Sequence, residues 1–76
     1  MAAINYEIIE NLLTLDEFYD TAGEPYHVEV NIMKWYGGDP KIDIRSWNKD
    51  KSKMKKGATL TDEEWEALKN NIKEDI

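Results

Sequence analysis

The sequence predicts a small α+β domain in which an antiparallel sheet is followed by one C-terminal helix. Residues 26–36 and 41–47 alternate apolar and polar side chains with the period of two that is typical of β-strands. Residues 37–40 lie between them, and their glycines and proline favour a turn, so the two strands are expected to form a hairpin. In residues 61–76, apolar side chains recur every three or four positions, as they do in an amphipathic helix.

The two predicted strands have one apolar face and one face of charged and aromatic side chains. The apolar face is expected to form the core and comprises Val30, Ile32, Ile42 and Ile44. The opposite face is expected to be an exposed surface and comprises Trp35, Lys41, Arg45 and Trp47. The register that we infer pairs Trp35 with Lys41, Met33 with Asp43 and Asn31 with Arg45. A slip of one residue would exchange the two faces.

The predicted helix has a clear start. Thr61 and Glu64 have the spacing of a capping box, and the acidic residues that follow Thr61 complement the helix dipole. The apolar stripe of the helix comprises Trp65, Leu68, Ile72 and Ile76. We expect Trp65 to anchor this stripe to the sheet, and the helix to span about residues 62–75.

The remaining segments are less regular. Residues 5–15 fit a helix or a strand, because both periods occur there. Residues 16–25 contain turn formers and are expected to connect elements, while residues 57–60 are a candidate short strand. All 76 residues are therefore expected to form a single domain, with the sheet at about residues 4–60. A core of this size is marginal, and dimerisation would add to it.

Several classes of function have no support in the sequence. There is no cysteine, and His27 is the only histidine, so metal ligands and nucleophiles are scarce. None of the motifs HExxH, EF-hand, Walker or GxSxG is present. We therefore expect no enzymatic activity, no metal and no cofactor. The N-terminus lacks the pattern of a signal peptide and no long apolar run occurs, so a cytoplasmic protein without membrane contact is expected.

The positive charge is concentrated in one part of an acidic chain. The net charge is −6, yet residues 34–56 carry eight basic and three acidic side chains, whereas residues 1–33 carry seven acidic and no Lys or Arg. A basic segment with two tryptophans is typical of surfaces that bind single-stranded nucleic acid, because bases stack on aromatic rings while cations contact phosphates. The alternative is that Trp35 and Trp47 are core residues or belong to a protein–protein interface.

A longer stretch of the sequence resembles a known family. Residues 42–72, IDIRSWNKDKSKMKKGATLTDEEWEALKNNI, are similar to the single-stranded-DNA-binding domain of the eukaryotic transcriptional coactivator positive cofactor four. The runs PKIDIRSW and KMKKGATLTDEEW resemble its small bacterial relatives, the YdbC-type proteins, still more closely. The resemblance implies a four-stranded antiparallel curved sheet followed by one helix, and a homodimer whose sheets offer grooves to single strands. It also favours a strand for residues 5–15.

The resemblance further implies a set of binding residues. Arg45, Trp47, Lys55 and Lys56 match basic and aromatic DNA-contacting positions, and Trp35 matches an aromatic position of the preceding strand. With their basic neighbours, the nucleic-acid-binding residues are expected to be Lys34, Trp35, Lys41, Arg45, Trp47, Lys53, Lys55 and Lys56.

The function expected from the sequence is the binding of single-stranded DNA with little sequence specificity. Single-stranded RNA is a second possible ligand, and a homodimer at the bacterial nucleoid is the expected setting. The process served would be transcription, replication or repair. A protein-interaction module that uses the exposed Trp, Arg and Lys side chains is the alternative, because protein interfaces are also rich in Trp and Arg.

Overall fold

The computed structural model describes residues 5–72. Its elements are β1 (Tyr6–Thr14), β2 (Phe18–Tyr19), β3 (Pro25–Trp35), β4 (Lys41–Asn48), β5 (Ala58–Leu60) and α1 (Asp62–Asn71). The start of the sheet at residue 4, the helix end at about residue 75 and the apolar Ile76 lie outside the described residues. Among the described residues, no helix is long and apolar enough to cross a membrane.

The strands form one antiparallel sheet in the order β1-β3-β4-β5, and β2 pairs with the beginning of β3. The α+β class, with an antiparallel sheet and a single C-terminal helix, is therefore confirmed. Residues 5–15, which fit two periods, contain the strand β1. The two-residue strand β2 lies in the segment that the sequence predicts as a connection.

The β3–β4 hairpin forms as predicted, but its register is shifted by two residues. Met33 pairs with Lys41 and Asn31 with Asp43, whereas Trp35 extends beyond the start of β4 and pairs with Tyr6 of β1. The predicted pairing of Trp35 with Lys41 is therefore wrong. Because the side-chain period of a strand is two, a shift of two residues leaves every side chain on its predicted face.

The sheet is strongly curved. Tyr6 pairs with Trp35 at one end of β3, and Trp47 pairs with His27 near the other end. These two positions of β3 are eight residues apart, which corresponds to about 26 Å of extended strand. Nevertheless, the ring of Tyr6 lies 5.7 Å from that of Trp35 and 5.6 Å from that of Trp47. The sheet must therefore curl so that both ends of one face approach each other, and we call this face the concave face.

The concave face is more deeply buried than the sequence predicts. On the concave face Trp47, Met33, Asn31 and Asp43 have no exposed surface at all. On the convex face, Val30 and Ile42 are buried, but Ile32 and Ile44 are only half-buried. The prediction of an exposed face is therefore wrong for Trp47 and correct for Lys41, while Trp35 and Arg45 are half-buried, because a curved sheet encloses part of its own concave side.

The helix begins with the predicted capping box. The Thr61 hydroxyl accepts a hydrogen bond from the Glu64 N–H at 3.1 Å, and the Thr61 N–H donates to Glu64 Oε1 at 2.8 Å. The helix contacts β4 and β5. Trp65 is its least exposed apolar residue and is half-buried. No residue of α1 is fully buried, and Leu68 is 40% exposed. The apolar stripe of the helix is therefore only partly covered by the sheet.

Candidate nucleic-acid interface

An aromatic cluster on the concave face is the centre of the candidate site. Tyr6 lies between Trp35 and Trp47, with tilted rings. Beside this cluster a groove of about 510 Å³ is open to solvent. We call it the aromatic groove, and it is lined by Tyr6, Tyr26, Trp47, Lys51, Ser52, Lys53 and Met54. Its volume falls within the range of small-molecule sites.

Trp47 forms the closed end of the aromatic groove instead of an exposed ring. Its side chain has no exposed surface. The ring is covered by Tyr6 and by the Lys51 ammonium, which lies 4.9 Å from the ring centroid. The indole N–H groups of Trp47 and Trp35 are buried and have no hydrogen-bond partner among residues 5–72. The hypothesis that Trp47 is an exposed stacking ring is therefore wrong, because the indole is buried in the core.

Arg45 is held in an internal ion pair. Its guanidinium donates from Nε to Asp43 Oδ1 at 2.6 Å and from a terminal nitrogen to Asp43 Oδ2 at 2.8 Å. Thr59 of β5 donates to the same carboxylate at 3.1 Å, and the guanidinium lies 4.6 Å from the Trp35 ring centroid. The Arg45 side chain is only 12% exposed. Two-point pairing of this kind fixes the guanidinium plane, so Arg45 supports Trp35 and offers little surface to a phosphate.

The close passage of the chain beyond the basic loop helps to enclose this ion pair. A Cβ atom at Gly57 would collide with the Ile44 carbonyl oxygen and with the Arg45 side chain. Only glycine therefore allows residues 57–60 to lie against β4 at this point.

A second charged group on the concave face is Glu29. Burial would raise the pKa of this carboxyl, but hydrogen bonds from Asn31, Lys51 and His27 outweigh that effect and hold the pKa below its ordinary value. The distances are 3.0 Å to Asn31 Nδ2, 2.9 Å to Lys51 Nζ and 2.6 Å to His27 Nε2. Glu29 thereby fixes Lys51 above Trp47 at the edge of the aromatic groove.

The loop that follows β4 has a defined shape. The buried Asn48 side chain donates to Ser52 Oγ at 3.0 Å and accepts from the Lys53 N–H at 2.9 Å. Lys51 has a positive φ of 62°, which turns the chain back on itself. Hydrogen bonds from Ser52 hold the pKa of Asp50 below its ordinary value. The basic loop is therefore an ordered border of the groove.

The outer lysines of the loop remain accessible. Lys53 is 66% exposed and its Nζ lies 3.8 Å from Glu24 Oε1. Lys55 is 43% exposed, its Nζ lies 3.5 Å from Asp20 Oδ2, and it lies 4.3 Å from the Tyr26 ring centroid. Lys53 thus lines the aromatic groove, and Lys55 lies beside the Tyr26 ring.

The structure divides the predicted residues into four groups. Trp35, Arg45 and Trp47 meet in the enclosed aromatic cluster, and Lys53 and Lys55 border the groove. Lys41 and Lys56 are exposed. Lys34 follows Met33 and precedes Trp35 on β3, so strand alternation directs it to the convex face, away from the groove.

Five residues that line the groove were not predicted from the sequence, namely Tyr6, Tyr26, Lys51, Ser52 and Met54. Tyr6 lies in the segment of ambiguous period, and Tyr26 lies at the start of β3, where alternation alone gives no role. Lys51 belongs to the basic loop, but nothing local distinguishes it from its neighbours.

More than half of the chain matches a known protein family. Residues 23–71 match the family described as Transcriptional Coactivator p15 (PC4). The chain belongs to this family. Its members are nucleic-acid-binding, non-enzymatic domains known for single-stranded DNA binding and for coactivator roles. The matched residues span β3, β4, β5 and α1, whereas β1 and β2 precede them.

A bacterial relative extends the similarity towards the N-terminus. The chain is 42% identical, over 66 residues, to an uncharacterized protein of Treponema pallidum (strain Nichols). This alignment covers 87% of the present chain and 73% of the relative. The resemblance to small bacterial members of the family is thereby confirmed.

Proposed function

We propose that this protein binds single-stranded DNA with little sequence specificity, and that the aromatic groove is its binding site. The observation that carries the proposal is the groove itself, in which aromatic side chains and ordered lysines line one open cavity. Single strands expose base faces that can stack on such rings, whereas duplex DNA keeps its bases stacked inside. Membership of the PC4 family supports the same ligand.

The structure changes which side chains are expected to meet the strand. Trp47 and Tyr26 are buried, while Tyr6 is half-buried and borders the groove. Tyr6 is therefore the most accessible ring of the groove for a base. The phosphates are expected to contact the exposed ammonium groups of Lys53, Lys55 and Lys56. None of these contacts reads base edges, so little sequence specificity is expected.

We further propose that the protein acts as a homodimer. Leu68 and Ile72 of the helix stripe are 40% and 57% exposed, and the convex-face residues Ile32 and Ile44 are half-buried. Dimerisation through the helix and the convex face would cover this apolar surface and leave the concave face free. A chain of 76 residues gains from the added burial, because small domains bury a low fraction of their surface.

The proposed setting is the nucleoid of the bacterial cytoplasm, with a role in transcription, replication or repair. Single-stranded RNA is a second expected ligand, because stacking and phosphate contacts do not depend on the sugar. The alternative of a protein-interaction module rested on exposed tryptophans. The burial of Trp47 and the half-burial of Trp35 favour the nucleic-acid ligand over that alternative.

A titration with a labelled oligo(dT) strand tests the proposal. The single strand should bind more tightly than the matching oligo(dT)·oligo(dA) duplex. Log affinity should fall with log salt at a slope of about −0.7 for each phosphate neutralised. Equal affinity for strand and duplex would contradict base stacking.

A comparison of two variants tests whether the strand binds at the aromatic groove. Replacing Lys53, Lys55 and Lys56 with alanine should flatten the salt slope by at most about 0.7 for each lost contact. Lys69→Ala, on the helix, is the control and should leave the slope unchanged. If the control flattens the slope equally, the strand binds elsewhere.

A further inference from the structure

Four cations of the candidate site are already paired with carboxylates of the same chain. Four ion pairs join them, namely Arg45–Asp43, Lys51–Glu29, Lys53–Glu24 and Lys55–Asp20. Three of the four carboxylates come from residues 20–29, within the N-terminal segment that carries no Lys or Arg. The segregation of charge along the sequence therefore brings acidic and basic side chains together at one site.

The four pairs differ in how easily they can open. The carboxylates of Asp43 and Glu29 are 0% and 7% exposed, and a buried carboxylate that loses its cation is strongly destabilising. The carboxylates of Glu24 and Asp20 are 37% and 18% exposed, and their lysines are more exposed still. Exposed pairs are weak and open readily. Only the two outer pairs can thus exchange their carboxylate for another anion.

The outer carboxylates belong to one ordered turn. Asp20 Oδ1 accepts hydrogen bonds from the N–H groups of Ala22 at 3.0 Å and Glu24 at 2.9 Å. Gly23 adopts a positive φ of 80° and donates its N–H to the Asp20 carbonyl oxygen at 2.9 Å. These bonds leave Asp20 Oδ2 directed at Lys55 Nζ, 3.5 Å away.

The Asp20 carboxylate is kept in its charged form. The Glu24 N–H, with contributions from the Ala22 N–H and from Lys55, holds the pKa of Asp20 below its ordinary value. The turn therefore presents an anion to Lys55 at neutral pH.

We propose that the turn formed by residues 20–24 is an autoinhibitory contact, in which Asp20 and Glu24 occupy the lysine positions that a strand phosphate would take. This inference rests on the proposed function. A phosphate that reaches Lys53 or Lys55 must displace a carboxylate, so part of each new contact replaces an old one. The turn sets the affinity below the value that the exposed lysines alone would give, and it excludes weak or isolated anions.

The chain offers a substitution that removes only the competing charge. The two backbone hydrogen bonds to the Asp20 side chain both go to Oδ1. Asp20→Asn can therefore keep them while replacing Oδ2 with an amide nitrogen. Glu24→Gln does the same for the second pair with little change of shape. The matched control is Glu63→Gln with Glu66→Gln on the helix, which changes the net charge equally without touching the turn.

The test is the affinity of parent, single, double and control variants for labelled oligo(dT), each checked by a thermal melt. Each opened pair should raise the affinity by about 1.5- to 5-fold, the equivalent of one exposed ion pair. The double variant should also show a steeper salt slope than the parent, because no freed carboxylate takes up a cation when the strand binds. In a background that carries Lys53→Ala and Lys55→Ala, the gain should disappear.

Two results would overturn the proposal. One is an equal gain in oligo(dT) affinity in the double variant and in the helix control, which would show that the change in net charge alone causes the gain. The other is an unchanged affinity in the folded double variant. If Asp20→Asn unfolds the protein, Glu24→Gln alone decides in the same way.

A second probe separates this proposal from the proposed function. Inorganic tripolyphosphate has no bases, and its binding is followed by NMR at the amides of Lys53 and Lys55. If oligo(dT) binds neither the parent nor any variant, the proposed function is wrong. The autoinhibitory contact then stands if tripolyphosphate binds the double variant more tightly than the control, and falls if it does not.

Discussion

Trp47→Ala should destabilise the fold instead of simply removing a stacking ring. The Trp47 side chain has no exposed surface, and a buried tryptophan removes 150–250 Å² from water, worth roughly 4 to 6 kcal/mol at 25 cal/mol per Å². Measured truncations of buried large aromatics cost about 3 to 5 kcal/mol. A chain of 76 residues has a free energy of unfolding of about 4 to 11 kcal/mol in total. The variant should therefore lose a large part of its stability and unfold at a much lower urea concentration than the parent.

The measurement is urea unfolding followed by far-UV circular dichroism, at one fixed protein concentration because dimerisation would add to stability. Tyr19→Ala is the control, since this tyrosine is 68% exposed and its loss should change stability by less than about 0.5 kcal/mol. Trp47→Phe should recover part of the lost stability by refilling the cavity. A Trp47→Ala protein that unfolds like the parent but fails to bind oligo(dT) would refute the assignment of Trp47 to the core.

Three further predictions concern the other parts of the site. Asp43→Ala leaves the guanidinium of Arg45 buried without its partner, so urea unfolding should show a loss of about 3 to 5 kcal/mol, and a smaller loss in the double variant with Arg45→Met would support this cause. The pKa of Glu29 is lower in the folded protein than its ordinary value of 4.5. The stability that its ionised form contributes is therefore present above that value and is lost as the pH falls through the folded pKa. In thermal melts across this range, Glu29→Gln should lose less stability on acidification than the parent, and an identical profile would contradict this role of Glu29. Tyr6→Leu keeps an apolar side chain between Trp35 and Trp47 but removes the stacking ring, so oligo(dT) affinity should fall by about 1 to 3 kcal/mol with an unchanged salt slope, and a parent-like affinity would exclude Tyr6 as a base contact.

Local signals in the sequence predicted local structure well. The capping box of Thr61 and Glu64 involves residues three apart and forms as predicted. The alternation in β3 and β4 also identified both strands and assigned each side chain to the correct face. The pairing of Trp35 with Lys41 was wrong, because Lys41 pairs with Met33 and Trp35 lies beyond the paired part of the hairpin.

Which face of the sheet is buried could not be predicted from alternation. That outcome depends on curvature, and the curvature brings Tyr6 next to Trp47 although 41 positions separate them in the chain. The same holds for Lys51 and Glu29, which are 22 positions apart. A polar side chain such as Asp43 is read as exposed until its partner Arg45 is known to lie against it. The sequence therefore revealed the composition of the site but not its enclosed form.

The strand β1 has a consequence for how this protein can be divided. The residues that match the PC4 family begin at position 23, so a fragment cut at that boundary would retain β3, β4, β5 and α1. It would lose the partner of β3 along most of its length, and with it the Tyr6 ring that covers Trp47. The backbone of β3 would become an unpaired edge, which promotes aggregation between chains. The smallest piece expected to fold alone is therefore longer than the family match, and expression fragments should start before Tyr6.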